Sequence, residues 1–401
     1  MPLLPAGEAH RRIIDGVVPV APESVDLLGA VDRVLVDDAV ATLTQPPFDA
    51  SAMDGYAVRA ADVADVPATL RVIGESNAGG PFDGAVGGGE AVRIFTGASV
   101  PHGTDTVVIQ ENTTRAGDDV TVRETPATGA NIRRAGGDFR AGDLLLPAGR
   151  LLDASAITLA AAGGHASLNV RRRPRVAILA TGDELVEPGG HLASGQIISS
   201  NPYGLAALVR RFGGEPALLG IAGDDMTALR AKLEAAADAD VLVTIGGASV
   251  GDRDLVKPAL EAYGTTLDFW KVAIRPGKPM LFGRRGNMRV LGLPGNPLSC
   301  LIAARVFLVP LLFALLGRRD APLKERAAVL THDVPANGPR QYYMRATEVG
   351  GSDGLPRVTS LAVQDSAHMS ALVAADVLIV RPPEAPAASA GDVVPVLPLD
   401  F

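Results

Sequence analysis

The sequence predicts a multidomain protein that joins a doubly wound α/β unit to β-rich units. Three observations carry this expectation. The chain has 401 residues, well beyond the roughly 150 expected of one folding unit. Between residues 174 and 320, short apolar runs alternate with helix-length segments, the pattern of a parallel sheet covered on both faces. On either side, at 46–142 and 321–401, the chain breaks into short β-type runs separated by turns, in keeping with its 45 glycines and 30 prolines.

Taken in order, residues 8–17 have helical spacing, and Gln45-Pro46-Pro47-Phe48 is a breaker. Strand-like runs follow at 69–73, 91–95, 106–110 and 120–123. Asp153 reads as the N-cap of a helix running to Ala162 and stopped by Gly163-Gly164. The two helical stretches are expected to pack together as one discontinuous helical domain, 1–45 and 143–173, with a β-rich domain, 46–142, inserted between its halves.

The period changes after Arg171-Arg172-Arg173-Pro174, where the α/β domain of 174–320 begins. A buried strand at 175–180 ends in Thr181-Gly182-Asp183-Glu184. Asn201 reads as an N-cap with Pro202 in the first turn, and Gly213-Gly214 closes that helix. Strands are expected at 217–221, 241–245 and 288–293. Asp224 or Asp225 caps one intervening helix, to about Ala237, and Asp254 opens the other. The apolar run 298–316 approaches the length of a membrane span, but Arg305 lies inside it and Pro310 interrupts it. A buried globular helix, kinked or broken at Pro310, is the expectation. Past Pro322, strands at 342–349, 357–362 and 377–380 and a closing strand after the Pro/Ala-rich loop 382–390 predict a small β-barrel or sandwich over 321–401.

The net charge, 37 − 45 = −8, argues against a nucleic-acid surface. Cys300 is the sole cysteine, which excludes an intrachain disulfide and a cysteine-based zinc cluster. Residues 1–8 lack a basic segment followed by an apolar one, so no signal peptide is read and a cytoplasmic protein without membrane partners is expected. The six histidines are scattered without metal-ligand spacing.

In an open α/β sheet, ligands bind beyond the carboxyl ends of the strands. Three strand-end segments meet that description: Thr181 to Glu184, the run from Gly246 and Gly247 through Ser249 and Gly251 to Asp254, and Leu293-Pro294-Gly295-Asn296-Pro297. Their glycines let backbone N–H groups approach an anion. Glu184, Asp224, Asp252 and Asp254 fall on the same predicted edge. Carboxylates beside a phosphate-binding loop call for a divalent cation between them, and Mg²⁺ fits best. Lys271, Arg275 and Lys278 put three cations within eight residues, which favours an anion over a solvated turn. Asp54, Thr96, Arg133 and Asp138 lie in the N-terminal β region, where the residues by themselves are equally compatible with turn chemistry.

These residues carry a family resemblance. Residues 51–58 (SAMDGYAV), 95–101 (FTGASVP), 181–185 (TGDEL), 246–254 (GGASVGDRD), 275–279 (RPGKP) and 293–297 (LPGNP) resemble the MoeA family, in family order and over nearly the whole chain. Its members are molybdopterin molybdenumtransferases, and the E domain of gephyrin is similar. The resemblance implies a MogA-like α/β domain, an inserted β domain, a discontinuous helical domain and a C-terminal β-barrel. It also implies an elongated homodimer, with each site shared between the α/β domain of one subunit and the inserted domain of the other. The implied reaction takes molybdate and adenylylated molybdopterin as substrates and releases AMP with a divalent cation. Glu184, Asp224, Asp252 and Asp254 would then handle Mg²⁺ and the phosphates, with Glu184, Asp252 and Asp254 as metal ligands. Lys271, Arg275 and Lys278 would bind anions, including molybdate. Thr181, Gly246, Gly247, Ser249, Gly251, Pro294 and Asn296 would line the cofactor site, with Ser366 reaching it from the barrel. Asp54, Thr96, Arg133 and Asp138 would complete it from the second subunit. A MogA-like adenylyltransferase and acceptor molybdoenzymes are the further partners implied. The departures are Ala248 and Arg253, where valine and often an aromatic are expected, and Arg275, where some members carry lysine. Two other readings stand beside this one: adenylylation of molybdopterin, and a non-catalytic gephyrin-like scaffold.

Overall fold

The computed structural model describes residues 3–247, 255–351 and 354–400. Its centre is a six-stranded sheet in the order Glu215–Ala222, Arg175–Thr181, Val241–Ile245, Met288–Leu293, Pro279–Arg285, Thr266–Lys271. The first four strands are mutually parallel; Pro279–Arg285 runs against both of its neighbours. Thr266–Lys271 therefore points the same way as the first four. The parallel sheet expected from the sequence is thus present with one reversed strand added. The short link between Thr266–Lys271 and Pro279–Arg285 explains it, because a tight connection can only turn the chain back on itself.

The alternation along each strand assigns its two faces. Val176 and Ile178 belong to one core with Leu205, Leu208, Leu308 and Leu312, whereas Ala177 and Leu179 belong to a second with Leu229, Leu233 and Leu260. Helices α3 (Asn201–Arg211), α6 (Pro297–Ala303) and α7 (Val309–Leu316) cover the first face; α4 (Met226–Glu234) and α5 (Val256–Ala262) cover the second. Asp225 caps α4, accepting from Ala228 N at 2.7 Å, so Asp224 is not the cap. Asn201 is already inside α3, whose N-cap is Ser200. In α5 the first helical residue is Val256; Asp254, expected to open that helix, lies outside the described residues.

The long apolar segment is a buried helix, as expected, but its irregularity precedes Pro310. Residues Ala304–Leu308 form a π-helical turn between α6 and α7. Pro310 has no N–H to donate and its ring crowds the carbonyl four residues back; the widened turn absorbs both. Pro297–Leu316 is the one helical stretch among the described residues long and apolar enough to cross a membrane, and its apolar window is 94% buried within the protein. Arg305 is accommodated by donating from Nε to Asp400 Oδ1 at 2.9 Å and from Nη1 to Pro322 O at 2.9 Å, with Phe212 under its guanidinium.

N-terminal to this unit, a second six-stranded sheet runs Thr106–Ile109, Gly55–Val58, Glu90–Ile94, Ala68–Ser76, Asp119–Val122, Thr113–Ala116. The segments flanking it come together: Pro22–Asp26 pairs with Ser167–Arg171, and Ala39–Val40 with Leu144–Leu146. Helix α2 (Ala154–Ala162), capped by Asp153 through Ala156 N at 2.8 Å, packs there on Leu35, Leu146, Leu152 and Leu168. Helix α1 (Ala6–Ile14) does not join it, contrary to the expected packing of the two. Its Ala6, Ala9 and Ile13 are buried in the α/β core, and Arg284 Nη2 and Arg289 Nη2 cap its C-terminal carbonyls at Arg12 and Asp15. The small apolar stripe of α1 is satisfied by the richer apolar surface of α7.

Past residue 321, five strands close into a barrel in the order Gln341–Val349, Arg357–Ser360, Arg326–Leu330, Val393–Pro398, Val377–Arg381 and back to Gln341–Val349. Ile274–Arg275, from the α/β unit, adds in parallel to Gln341-Tyr342 and joins the two units.

Candidate active site

Five strands of the central sheet point the same way, so their carboxyl ends share one edge. The segments after Thr181, Ala222, Ile245, Lys271 and Leu293 are therefore neighbours in space, although they span more than a hundred residues of sequence. The chain passes from Arg175–Thr181 outward to Glu215–Ala222, then crosses back to Val241–Ile245. That reversal is the switch point at which doubly wound sheets open a crevice.

A cleft of about 540 Å³ opens there. It is lined by Thr181, Glu184, Gly246, Gly247, Pro294 and Asn296, among others, so six of the sequence-predicted residues share one cleft. Thr181 is buried and donates its hydroxyl to Ile245 O at 3.2 Å, tying the two strands at the switch point. Gly246 N donates to Leu293 O at 3.2 Å, and Asn201 Nδ2 to Gly295 O at 2.7 Å, which fixes the third loop. Gly246 has φ +88°, a conformation costly for any residue with a Cβ. Leu185, Ile197 and Ile198 also line the cleft, from a short ribbon in which Leu185-Val186 pairs with Ile197-Ile198, and both isoleucines are exposed. Sequence reasoning missed this ribbon; the adjacent isoleucines just before Asn201, in an otherwise polar stretch, were its only signal.

The acids of this edge interact. Asp183 Oδ1 accepts from Asp224 N at 2.9 Å and shapes the loop that presents Asp224. The Asp224 carboxyl is raised above the usual carboxylate range, first by desolvation and then by the negative charges of Asp183 and Glu184. Among the described residues, no group of three or more His, Cys, Asp or Glu side chains converges to metal-binding distance. Ser249, Gly251, Asp252 and Asp254, also expected here, lie outside the described residues.

Lys271, Arg275 and Lys278 stand on the same edge, but of their loop only Pro279 lines the cleft. Val272 N donates to Lys278 O at 3.2 Å and closes the loop; Arg275 stacks over Tyr342 at 4.3 Å. The barrel contributes Ser366, whose hydroxyl accepts from Asn296 Nδ2 at 3.1 Å.

Asp54 and Thr96 form a separate centre on the N-terminal sheet. Asp54 Oδ1 accepts from both Thr96 N and Thr96 Oγ1 at 2.8 Å. Those two donors, backbone first, hold the Asp54 carboxyl below its usual range, and the Arg93 charge adds to the effect. Arg93 braces the same turn, donating to Gly55 O at 3.1 Å and Gln110 Oε1 at 2.7 Å. It was not singled out from sequence, where a lone arginine in a strand carries no signal. Arg133 pairs with Ala50 on the strand leading toward Asp54, and Asp138 N is held by Gln45 O at 3.1 Å. Among the described residues, no hydrogen bond joins Arg133 or Asp138 to Asp54, and none of these four lines the cleft of its own chain.

Three family models match the chain in order: the MoeA N-terminal region (domain I and II) over residues 4–164, a "probable molybdopterin binding domain" over 177–314, and the MoeA C-terminal region (domain IV) over 327–399. The chain is 36% identical to the molybdopterin molybdenumtransferase of Haemophilus influenzae over 402 residues, which span 99% of both. It is 41% identical to that of a Nostoc species over 331 residues, 80% of this chain and 76% of the relative. Its structure is similar to the crystal structure of the molybdopterin biosynthesis MoeA protein from Pyrococcus horikoshii, with a TM-score of 0.84 at 29% identity, covering 99% of this chain and 100% of the other. Fold, cleft and full-length likeness agree: this chain belongs to the MoeA family.

Proposed function

We propose that the protein is a molybdopterin molybdenumtransferase, which inserts molybdate into adenylylated molybdopterin and releases AMP. The observation that carries this is the convergence of three glycine- and proline-bearing loops with the acid Glu184 on one switch-point cleft, with Asp224 on the same sheet edge outside its lining and a loop with three cations beside it. Its relatives bear that activity in their names, one matching over 99% of both chains and another over 80% of this chain.

In this reading the backbone of Gly246 and Gly247 and the polar ends of Thr181 and Asn296 cradle the phosphates and pterin, with Pro294 shaping the floor. Ser249 and Gly251, expected to bind the same ligand, lie outside the described residues. Ile197 and Ile198 give the cleft an apolar flank. Lys271, Arg275 and Lys278 draw in molybdate and the phosphates through their field, with Arg275 held by its stack on Tyr342. Glu184 and Asp224 orient the pyrophosphate for cleavage. Mg²⁺ suits the acids of this edge: desolvation and then the negative charges of Asp183 and Glu184 raise the Asp224 carboxyl, and a divalent cation held by Glu184 would relieve that repulsion; Asp252 and Asp254, its other expected ligands, lie outside the described residues. That cation would neutralise charge developing on the departing AMP. The Asp54–Thr96 centre, ionised and prearranged but outside its own chain's cleft, supports a homodimer in which a second subunit supplies Asp54, Thr96, Arg133 and Asp138. A cytoplasmic location and supply of substrate by a MogA-like adenylyltransferase, with delivery to acceptor molybdoenzymes, complete the proposal.

The test is AMP release from adenylylated molybdopterin by the purified protein with Mg²⁺, with and without molybdate. Molybdate-dependent release yielding active cofactor is expected. ATP consumption that ignores molybdate would point to adenylylation, and no release by the folded protein would refute an enzymatic role.

A further inference from the structure

Arg345 is among the largest fully buried side chains of the protein, at 1% exposure. It lies on the Gln341–Val349 strand, where Tyr342, Met344 and Ala346 face the barrel core and Tyr343 faces the α/β core. Strand alternation puts Arg345 on the Tyr343 side, under the segment 361–366. Its Nη2 donates to Val363 O at 2.8 Å and its Nη1 to Asp365 O at 3.0 Å. Gln364, between them, closes a second set of bonds: Oε1 accepts from Arg345 N at 3.1 Å, and Nε2 donates to Arg345 O at 2.9 Å and Leu361 O at 2.8 Å. Leu361 N donates to Arg345 O at 2.9 Å as well. Four residues of one loop are thus fastened to a single residue. The next residue is Ser366, whose hydroxyl meets Asn296 on the rim of the cleft.

A guanidinium buried this deeply is expensive, and desolvation pushes its pKa down. An apolar residue would fill the same volume at lower cost. What arginine adds is a rigid planar fork able to hold two carbonyls, two residues apart, in one fixed relation. We infer that Arg345 is a positioning residue of the cleft: it sets the 361–366 loop so that Ser366 engages Asn296 and closes the site from the barrel side. The kinetic part of this inference rests on the proposed molybdenumtransferase activity.

The experiment is a double-mutant cycle on the full chain with Arg345→Lys, Ser366→Ala and the pair. Lysine keeps the charge but lacks the planar fork that fixes the two carbonyls in one relation. The half-saturating concentration of adenylylated molybdopterin is expected to rise about tenfold in each single variant, with kcat changed by less than about twofold. In the double variant it should again rise about tenfold, because both changes remove the same contact. A rise of about a hundredfold in the double, or no change in Arg345→Lys, would overturn the inference. Amide hydrogen exchange supplies an arm independent of activity. Residues 361–366 should exchange faster in Arg345→Lys while 377–381 keep their protection, and unchanged protection of the loop refutes the clamp. Wild-type protein that releases no AMP would count against the functional reading alone, leaving the exchange result to decide the clamp. If Arg345→Lys does not fold, Gln364→Ala cuts the same loop and takes its place in the cycle.

Discussion

Gly246→Ala probes the switch-point cleft where the backbone of one loop closely approaches the end of a central strand. Gly246 has φ +88°, and a Cβ built there would lie 2.8 Å from Thr181 O and 3.2 Å from Thr181 Oγ1. The backbone conformation alone costs an L-residue about 1–2 kcal/mol. The contact adds about 1–3 kcal/mol, because the atom struck is a carbonyl of a central strand and cannot swing aside as a side chain would. The stiffer unfolded chain returns about 0.4–1 kcal/mol. The net expectation is a loss of about 1–4.5 kcal/mol, centred near 3, read by urea unfolding. Gly264→Ala separates the two causes, since Gly264 has a matching φ of +86° with nothing within 4 Å of its would-be Cβ. It should cost only the backbone share, about 1 kcal/mol. Because the strain at Gly246 falls on Thr181, AMP release should drop in Gly246→Ala and stay at wild-type level in Gly264→Ala. Equal losses in the two variants, or a loss under about 0.5 kcal/mol at Gly246, would refute the argument from close approach.

Three further outcomes follow from the geometry. Asp224→Asn should stabilise the metal-free protein at neutral pH: the folded-state pKa of Asp224 is raised, so its carboxyl is destabilising once ionised, and the gain should vanish as pH falls below the ordinary carboxylate range; Tm against pH for both proteins checks this, and a constant offset would contradict it. Thr96→Val removes one of the two donors to Asp54, so the depressed Asp54 pKa should climb toward its usual value and the acid limb of the pH–rate profile should move to higher pH. Wild-type activity, by contrast, should persist as pH falls until the lowered pKa is reached. Arg305→Met should cost about 1–3 kcal/mol in denaturant unfolding, the worth of its charged hydrogen bonds to Asp400 and Pro322, without stranding a charge, because Asp400 remains 44% exposed.

Much of this protein is written locally. The strands Val241–Ile245 and Met288–Leu293 appear where the apolar runs put them, α2 starts at Asp153 and ends before Gly163-Gly164, and the loops after Thr181, Ile245 and Leu293 bear the glycines and prolines that such turns need. Periodicity, capping and turn chemistry act over a few residues, so the sequence by itself determines them. What it could not express is pairing between distant segments. Neither local pattern nor propensity distinguishes Asp224 from Asp225 as the cap; the hydrogen bond from Ala228 and the pull of Asp183 on the Asp224 backbone do. Helix α1 has a small apolar stripe that fits several partners, and the surface of α7 decided among them. The reversed strand Pro279–Arg285 brings the basic loop to the cleft edge, the widened turn Ala304–Leu308 lets one helix pass Pro310, and the bond from Asn296 to Ser366 spans 70 residues. Each depends on a long-range contact whose closing entropy is repaid only by the assembled core. The sequence alone therefore determined which elements form and which residues can do chemistry. Only the tertiary structure decided which of those residues meet.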